Sequence, residues 1–306
     1  MKRISAILLL LLSGIIAQAQ TDTTYWNKGG QVGVNVNQST LQNWAAGGTS
    51  SVSGSTFLSL IADYKKDRQF WKNSLDLGYG LIQEEGRDAQ KTEDKIVFIS
   101  NYGRQLAKEK GKWFASALVD FRTQFYRGYE IDEEDESRKL ISNFVAPAYL
   151  TTSLGLDWSP TDYLTVKFGL LTSKMTFVND DSLSAQGAYG VDPNEKFRFE
   201  GGGMLGVNFN KEVLENVQYI SNLVLFSNYA EHPDRIDVNW ENTLNMKVNS
   251  FLTVNIFNQI IYDYDVKFDV VDDVTGELID QEEKIQFKNI LGLGLSYKFG
   301  GARGKK

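Results

Sequence analysis

Cysteine is absent from this 306-residue sequence, which holds only four prolines and one histidine. Without cysteine the fold cannot contain disulfides, and no thiol is present for a lipoprotein anchor. Because His232 is the single histidine, the sequence offers few ligands for zinc and only one candidate base for Ser–His catalysis. No linker rich in proline, serine and glycine interrupts the chain. We therefore expect one mature domain, no cofactor and no metal site.

A basic surface stripe is also missing. The sequence carries 32 basic and 39 acidic side chains, a net charge of −7. This balance makes nucleic acid an unlikely class of partner. Beyond the first residues, no apolar run approaches the roughly 20 residues of a membrane-spanning helix. A membrane location would therefore require β-strands.

The N-terminus has the three parts of a secretory signal. Lys2 and Arg3 precede the apolar run 7–12, and the small-residue exit 17–19 follows. The pattern predicts cleavage after Ala19, with residues 1–19 as signal peptide and residues 20–306 as the mature domain. The expected destination is beyond the inner membrane, in the envelope of a Gram-negative cell.

Alternation of apolar and polar residues is the main pattern in the mature chain. In the segment 285–299, Ile285, Leu291, Leu293, Leu295 and Tyr297 occupy one face and lysine, glycine and serine the other. A second segment, 252–266, alternates over fifteen residues, longer than most strands of soluble proteins. Similar runs recur along the chain and predict about twelve long strands.

The links between these runs alternate between short and long, as in outer-membrane barrels. Short links include 65–68 and 159–162, whereas long ones include 128–139, 179–195 and 269–283. We predict an all-β fold, a closed antiparallel transmembrane β-barrel of the cell outer membrane, with both termini in the periplasm. A soluble periplasmic β-sandwich or propeller is the alternative, although neither fold requires short and long links to alternate.

Aromatic residues recur near the short-link ends of the predicted strands. They include Tyr64, Trp71, Trp113, Trp158, Tyr163, Tyr297 and Phe299. Aromatic side chains collect at both interfaces of a lipid bilayer. The pattern favours the barrel, with outer-membrane lipid and lipopolysaccharide as its surroundings.

The first long link differs from the others. Ser39 or Thr40 can cap a short helix and Gly47 can end it. So short a helix needs a surface to pack on, and the barrel mouth is the expected one. We interpret the link as a plug or, alternatively, as a docking or gating element for other envelope proteins. Its predicted residues are Leu41, Asn43, Trp44, Gly47 and Gly48.

The stretch 41–48, the glycine-rich alternating strands after it and the segment 77–80 resemble an outer-membrane β-barrel family of Bacteroidota, a domain of unknown function. The resemblance rests mainly on the Asn-Trp-Ala-Ala-Gly-Gly sequence that begins at Asn43, and it spans nearly the whole mature chain. The resemblance implies an outer-membrane location and a β-barrel fold. It implies no catalytic residues, because the family carries no assigned activity.

Charged residues of both signs fall on the predicted inner face of the strands. The predicted lumen network comprises Lys72, Asp76, Asp120, Arg122, Arg198, Glu200, Glu241 and Asp263. Enclosed charges are stable when paired or hydrated. Two interpretations remain open at this point: a structural network that fills the lumen, or a polar path for small solutes.

The acidic loop 130–136 offers hard oxygen ligands for Ca²⁺, but its spacing matches no defined calcium loop, so a solvated loop is the simpler interpretation. We predict a non-enzymatic barrel with a plugged polar lumen that supports a partner complex or envelope integrity. The alternatives are a narrow porin-like conduit and an outer-membrane lipid hydrolase acting through His232.

Overall fold

The computed structural model describes residues 25–40, 50–107, 111–131, 138–271 and 278–301. The predicted signal peptide and the predicted plug residues 41–48 lie outside these ranges, as does most of the acidic loop. The expected short helix of the first long link therefore stays a prediction.

Twelve long antiparallel strands form a closed barrel, which confirms the predicted fold class. They are β1 (Trp26–Ser39), β2 (Ser51–Lys66), β3 (Gln69–Glu84), β4 (Gln90–Gln105), β5 (Trp113–Thr123), β8 (Ala148–Thr161), β9 (Leu164–Phe177), β10 (Phe197–Leu214), β11 (Val217–Asn228), β12 (Ile236–Lys247), β13 (Leu252–Tyr262) and β16 (Gln286–Gly300). Each strand pairs with the next barrel strand along the chain, and β16 pairs with β1 to close the ring.

Period-two alternation determines which way each side chain points, because successive residues of a strand face opposite sides of the sheet. On β16, Leu291, Leu293 and Leu295 point outward and are more than half exposed, whereas Gly292 and Gly294 point inward. The same division continues around the ring through the cross-strand register. Apolar side chains cover the outside, and most polar and charged side chains point into the lumen.

The two ends of the barrel differ in their connections, and we call them the short-turn end and the long-loop end. At the short-turn end, Asp67 and Asn216 adopt positive φ angles of 50° and 62° in two-residue turns, a conformation that asparagine and aspartate tolerate. At the long-loop end, two links contain hairpins outside the barrel, β6 (Gly128–Ile131) with β7 (Arg138–Ser142) and β14 (Lys267–Val271) with β15 (Leu278–Glu283).

A third long link, between β9 and β10, contains the short helix α1 (Asp181–Ala185) and a 3-10 turn (Ala188–Gly190). Within the ranges that the structure describes, no helix has the length and apolar character needed to span a lipid bilayer.

Two predicted strand bounds were wrong. The apolar residues over 144–156 predict a strand that begins at Phe144, but β8 begins only at Ala148, because the positive φ of Val145 turns the chain there. The fifteen-residue alternation that begins at Leu252 also ends early, since β13 stops at Tyr262 and the rest turns toward the hairpin. The alternation of apolar and polar residues in this segment continues beyond Tyr262, where strand pairing ends.

Candidate functional site in the barrel lumen

Arg122 joins two sides of the lumen. In the ring order β5 and β12 are separated by β8, β9, β10 and β11, so no sheet pairing brings them together. Nevertheless the Nη1 atom of Arg122 donates to Oε1 of Glu241 at 2.7 Å. Its Nε and Nη2 atoms donate to the two carboxylate oxygens of Asp120 at 2.9 and 3.1 Å. One guanidinium thus holds two carboxylates and bridges the barrel.

A second contact crosses the lumen at another place. Lys95 on β4 holds its Nζ atom 5.5 Å from the ring centroid of Phe257 on β13, with β3, β2, β1 and β16 between them in the ring. This is cation–π distance. Lys95 also pairs with Glu93 at 2.9 Å.

A larger cluster of charges, which we call the upper cluster, lies toward the long-loop end. It comprises Lys174, Arg198, Glu200, Asp237, Asp263 and Asp265. The Nζ atom of Lys174 is 2.8 Å from carboxylate oxygens of Asp237 and Asp263 and 3.7 Å from Glu200. Arg198 Nη2 lies 2.8 Å from Asp265 and 3.6 Å from Glu200.

Three carboxylates of the upper cluster are close enough to share a metal ion: oxygens of Glu200, Asp237 and Asp265 lie within 4.8 Å of one another. Lys174 and Arg198 already pair with these carboxylates, Lys174 with Asp237 and Glu200, and Arg198 with Asp265 and Glu200. The arrangement is that of an internal ion-pair network, because a cation would have to displace two side-chain cations.

A lower group surrounds Asp157 nearer the short-turn end, and its carboxylate is almost fully buried. Oδ2 accepts hydrogen bonds from Asn101 Nδ2 and Lys167 Nζ, both at 3.0 Å, and Oδ1 accepts from Ser116 Oγ at 2.7 Å. Four strands therefore meet at one side chain. Charged groups with hydrogen-bond or ion-pair partners therefore lie toward both ends of the lumen.

The link between β9 and β10 lies against the upper cluster. The carbonyl oxygen of Gly190 accepts a hydrogen bond from Arg198 Nη1 at 2.8 Å. Behind it, a small apolar core buries Ala146, Val178, Leu183 and Val191. The link therefore covers part of the lumen at the long-loop end.

Two ionisable groups fasten this link outside the barrel strands. Asp180 caps α1: its Oδ1 accepts from the backbone nitrogens of Ser182 and Leu183, and its Oδ2 accepts from Asn143 Nδ2 at 2.9 Å. The hydrogen bond from Asn143, with smaller help from the cap, lowers the pKa of Asp180. Tyr189 donates its hydroxyl to the carbonyl oxygen of Ile141, and burial raises the pKa of Tyr189 to about 12.

Seven of the eight predicted lumen residues occupy inward positions in the register, and Asp263 follows the end of β13, but the eight do not form one network. Asp120, Arg122 and Glu241 form the cross-lumen bridge, while Arg198, Glu200 and Asp263 belong to the upper cluster. Lys72 and Asp76 stand apart on β3; Lys72 Nζ lies 5.5 Å from the Phe70 ring, and neither forms a salt bridge within the described ranges.

Sequence reasoning missed Lys174, and the cause is a β-bulge. Inward positions on β9 are Lys167 and Gly169 before the bulge and Thr172 and Lys174 after it, because two residues face one partner between them. Uninterrupted alternation would place Lys174 on the outside. Asp157 was missed for a simpler reason: the strand predicted over 144–156 ended one residue before it, whereas β8 continues to Thr161.

Comparison with known proteins gives a partial family match. Residues 36–129 match the model of a family described as a protein of unknown function, DUF3078. The matched range includes the Asn-Trp-Ala-Ala-Gly-Gly stretch and less than half of the chain. The match agrees with the expected domain of unknown function. No curated protein matches the chain.

Two solved structures align with nearly the whole chain at low identity. One is the COG4313 outer membrane channel from Pseudomonas putida F1, at 12% identity and a TM-score of 0.41, covering 93% of this chain and 100% of that chain. The other is the translocator domain of the autotransporter NalP from Neisseria meningitidis, at 11% identity and a TM-score of 0.36, covering 97% of this chain and 95% of that chain.

Proposed function

We propose that this chain is an outer-membrane barrel whose lumen is closed to free diffusion, and that it acts as a structural or partner-binding protein of the envelope. The observation that carries the closed lumen is the hydrogen bond between Arg122 and Glu241, which spans the barrel. Displacing such a bridge would leave charges unpaired in a confined space, which is costly.

The proposed location in the outer membrane rests on the outer wall. Charged outward residues in the described barrel strands lie within five residues of a strand end; they are Lys28, Lys66, Lys91, Asp94, Arg104 and Lys211. The strands are 11 to 18 residues long, against about 9–11 needed in the hydrocarbon. Removal of a signal peptide, periplasmic termini and a Bacteroidota source belong to the same proposal.

Single-channel recording tests the closed lumen. The purified full chain in a planar lipid bilayer should give no steady current, whereas Arg122→Ala should give measurable conductance because the bridge is lost. Val119→Ala, an outward change on the same strand, serves as the matched control and should stay silent. A steady ohmic current from the unmodified protein would overturn the proposal.

Heat-modifiable gel mobility tests the location and the barrel separately. The protein should fractionate with the outer membrane and migrate faster unheated than boiled, since a closed barrel resists detergent at low temperature. Recovery of the chain in a detergent-free periplasmic extract would contradict the membrane location whatever the conductance.

A narrow conduit is the second candidate, because one side of the lumen is lined with small residues. Gly33, Ser55, Ser59, Gly78, Gly80, Gly292 and Gly294 point inward on β1, β2, β3 and β16. If current is observed, Ser59→Trp should block it, whereas the outward change Thr56→Trp should not.

Absence of enzymatic activity stays a prediction. His232, the residue on which a lipid hydrolase would depend, lies in the link between β11 and β12 with a φ of 51°. Acyl-chain release from outer-membrane lipids should be at background level for the unmodified protein and for His232→Ala. Release that falls on substitution of His232 would make the chain a hydrolase.

A further inference from the structure

Four polar side chains form a row on the outer wall, which we call the asparagine row: Ser221, Asn242, Asn258 and Asn289. They are direct register partners on the neighbouring strands β11, β12, β13 and β16. Three strand spacings give the row a length of about 14 Å. Polar residues that line up across four strands form a continuous feature of the wall.

The row lies among apolar residues. Along β12, the outward neighbours of Asn242 are Trp240 and Leu244; along β13, those of Asn258 are Ile256 and Ile260. Both asparagines stand near the middle of their strands. At that depth a membrane-inserted barrel faces lipid chains, which can neither donate nor accept hydrogen bonds.

Hydrogen bonds inside the chain satisfy only part of the row. Tyr219 Oη donates to Asn242 Oδ1 at 2.7 Å, and Asn289 Nδ2 donates to Asn258 Oδ1 at 2.5 Å. Within the described ranges, the side-chain nitrogens of Asn242 and Asn258 donate no hydrogen bond. Two amide groups therefore face the surroundings of the barrel with their donors unused.

Asn73 on β3 shows the contrasting arrangement. Its Nδ2 atom donates to the carbonyl oxygen of Ala62 at 2.9 Å, and its Oδ1 accepts from Ser100 Oγ at 2.8 Å. This outward amide is thus bonded through both of its polar atoms within the chain. Asn73 therefore uses its donor and its acceptor within the chain, whereas Asn242 and Asn258 use only their acceptor oxygens.

We propose that the asparagine row is the interface between two copies of this chain in the membrane. A carboxamide carries both donor and acceptor, so a row of amides is complementary to itself, as a two-fold contact requires. The row is uncharged, and the exposed side chains of Trp240, Phe287 and Leu291 beside it can pack around the paired amides. The inference rests on the proposed membrane location and is independent of the closed lumen.

Cysteine cross-linking tests the contact cleanly, because the natural chain has no cysteine. Leu244→Cys places a thiol beside the middle of the row, and Val119→Cys places one on the opposite wall. The full chain is reconstituted in phosphatidylcholine vesicles at high lipid excess and treated with a short bis-maleimide. We expect a dimer band from Leu244→Cys at least five times stronger than from Val119→Cys.

Substitutions in the row should remove the dimer. Adding Asn242→Leu and Asn258→Leu to the Leu244→Cys chain should reduce cross-linking to the level of Val119→Cys, with heat-modifiable mobility retained. The matched change Asn73→Leu should leave the dimer band intact. Equal cross-linking at the two walls, or a dimer that survives both row substitutions, would overturn the interface. Loss of heat-modifiable mobility in the unmodified chain would instead overturn the barrel in the membrane.

Discussion

Arg122 and Glu241 are 119 positions apart in the sequence and lie on strands separated by four others in the ring, yet their side chains meet at 2.7 Å. At the same time, the guanidinium group of Arg122 donates two hydrogen bonds to the carboxylate of Asp120. The bridge fixes the separation of two sides of the wall. The proposed closure of the lumen rests on this bridge.

Breaking this bridge should destabilise the barrel. Arg122→Met leaves the carboxylates of Asp120 and Glu241 without their partner, and loss of one member of such a buried network costs about 3 kcal/mol. The midpoint temperature of heat-modifiable mobility should fall. The triple change Arg122→Met, Asp120→Asn and Glu241→Gln should recover part of the loss, because no carboxylate is then left unpaired. No recovery would mean that the arginine acts through packing alone.

Removing Lys174 should create a cation-dependent variant. Lys174→Met leaves Asp237, Asp263 and Glu200 without their shared ammonium group, so their mutual repulsion should lower the unfolding temperature. Millimolar Ca²⁺ should restore it, since hard oxygen ligands would then face a vacant site. The unmodified protein should show no such response. A Ca²⁺ effect of equal size in both proteins would contradict the role assigned to Lys174.

Gly155 is required by a close approach between strands. A Cβ atom at this position would overlap the carbonyl group of Phe168, at the bulge in the pairing of β8 with β9. Gly155→Ala should therefore lower the free energy of unfolding by about 2 kcal/mol, measured by urea titration in detergent micelles. Gly54→Ala is the control, because its Cβ would meet nothing nearer than 3.8 Å. Equal effects would refute the steric explanation.

The link between β9 and β10 should become less stable at low pH. Because the folded state lowers the pKa of Asp180, its ionised form stabilises the link at neutral pH, and the contribution disappears as the pH falls through that lowered value. Amide hydrogen exchange at Ser182 and Leu183, corrected for its intrinsic pH dependence, should report the change. In Asp180→Asn the protection should be weaker at neutral pH and should not change in acid. Acid loosening in that variant would point to another group.

Much of the wall could be predicted from the sequence. The alternation in the segment 285–299 assigned the outward and inward faces of β16, and the same period placed Asp120 and Arg122 inward. Propensity and spacing could not show that Asp237, Asp263 and Asp265 are joined to Lys174 and Arg198. The two cations lie on β9 and β10, whereas the three carboxylates lie on β12 or directly after β13, and neither β12 nor β13 pairs with β9 or β10.

Bulges and loops are the features that the sequence did not predict. The bulge at Leu170 and Leu171 reversed the phase of β9 and concealed Lys174, while the chain before Ala148 kept a strand-like pattern in a turn. Hairpin β6–β7 and hairpin β14–β15 occupy links that composition described only as long and acidic. Local sequence does not encode where a strand stops pairing with its neighbour.

The sequence by itself determined most of the strands and the two faces of each, because alternation with period two places apolar side chains on one face and polar side chains on the other. Only the tertiary structure decided which charges meet across the lumen and which amides line up on the wall. Strand stagger and the curvature of the closed sheet set those distances, and both are properties of the whole ring.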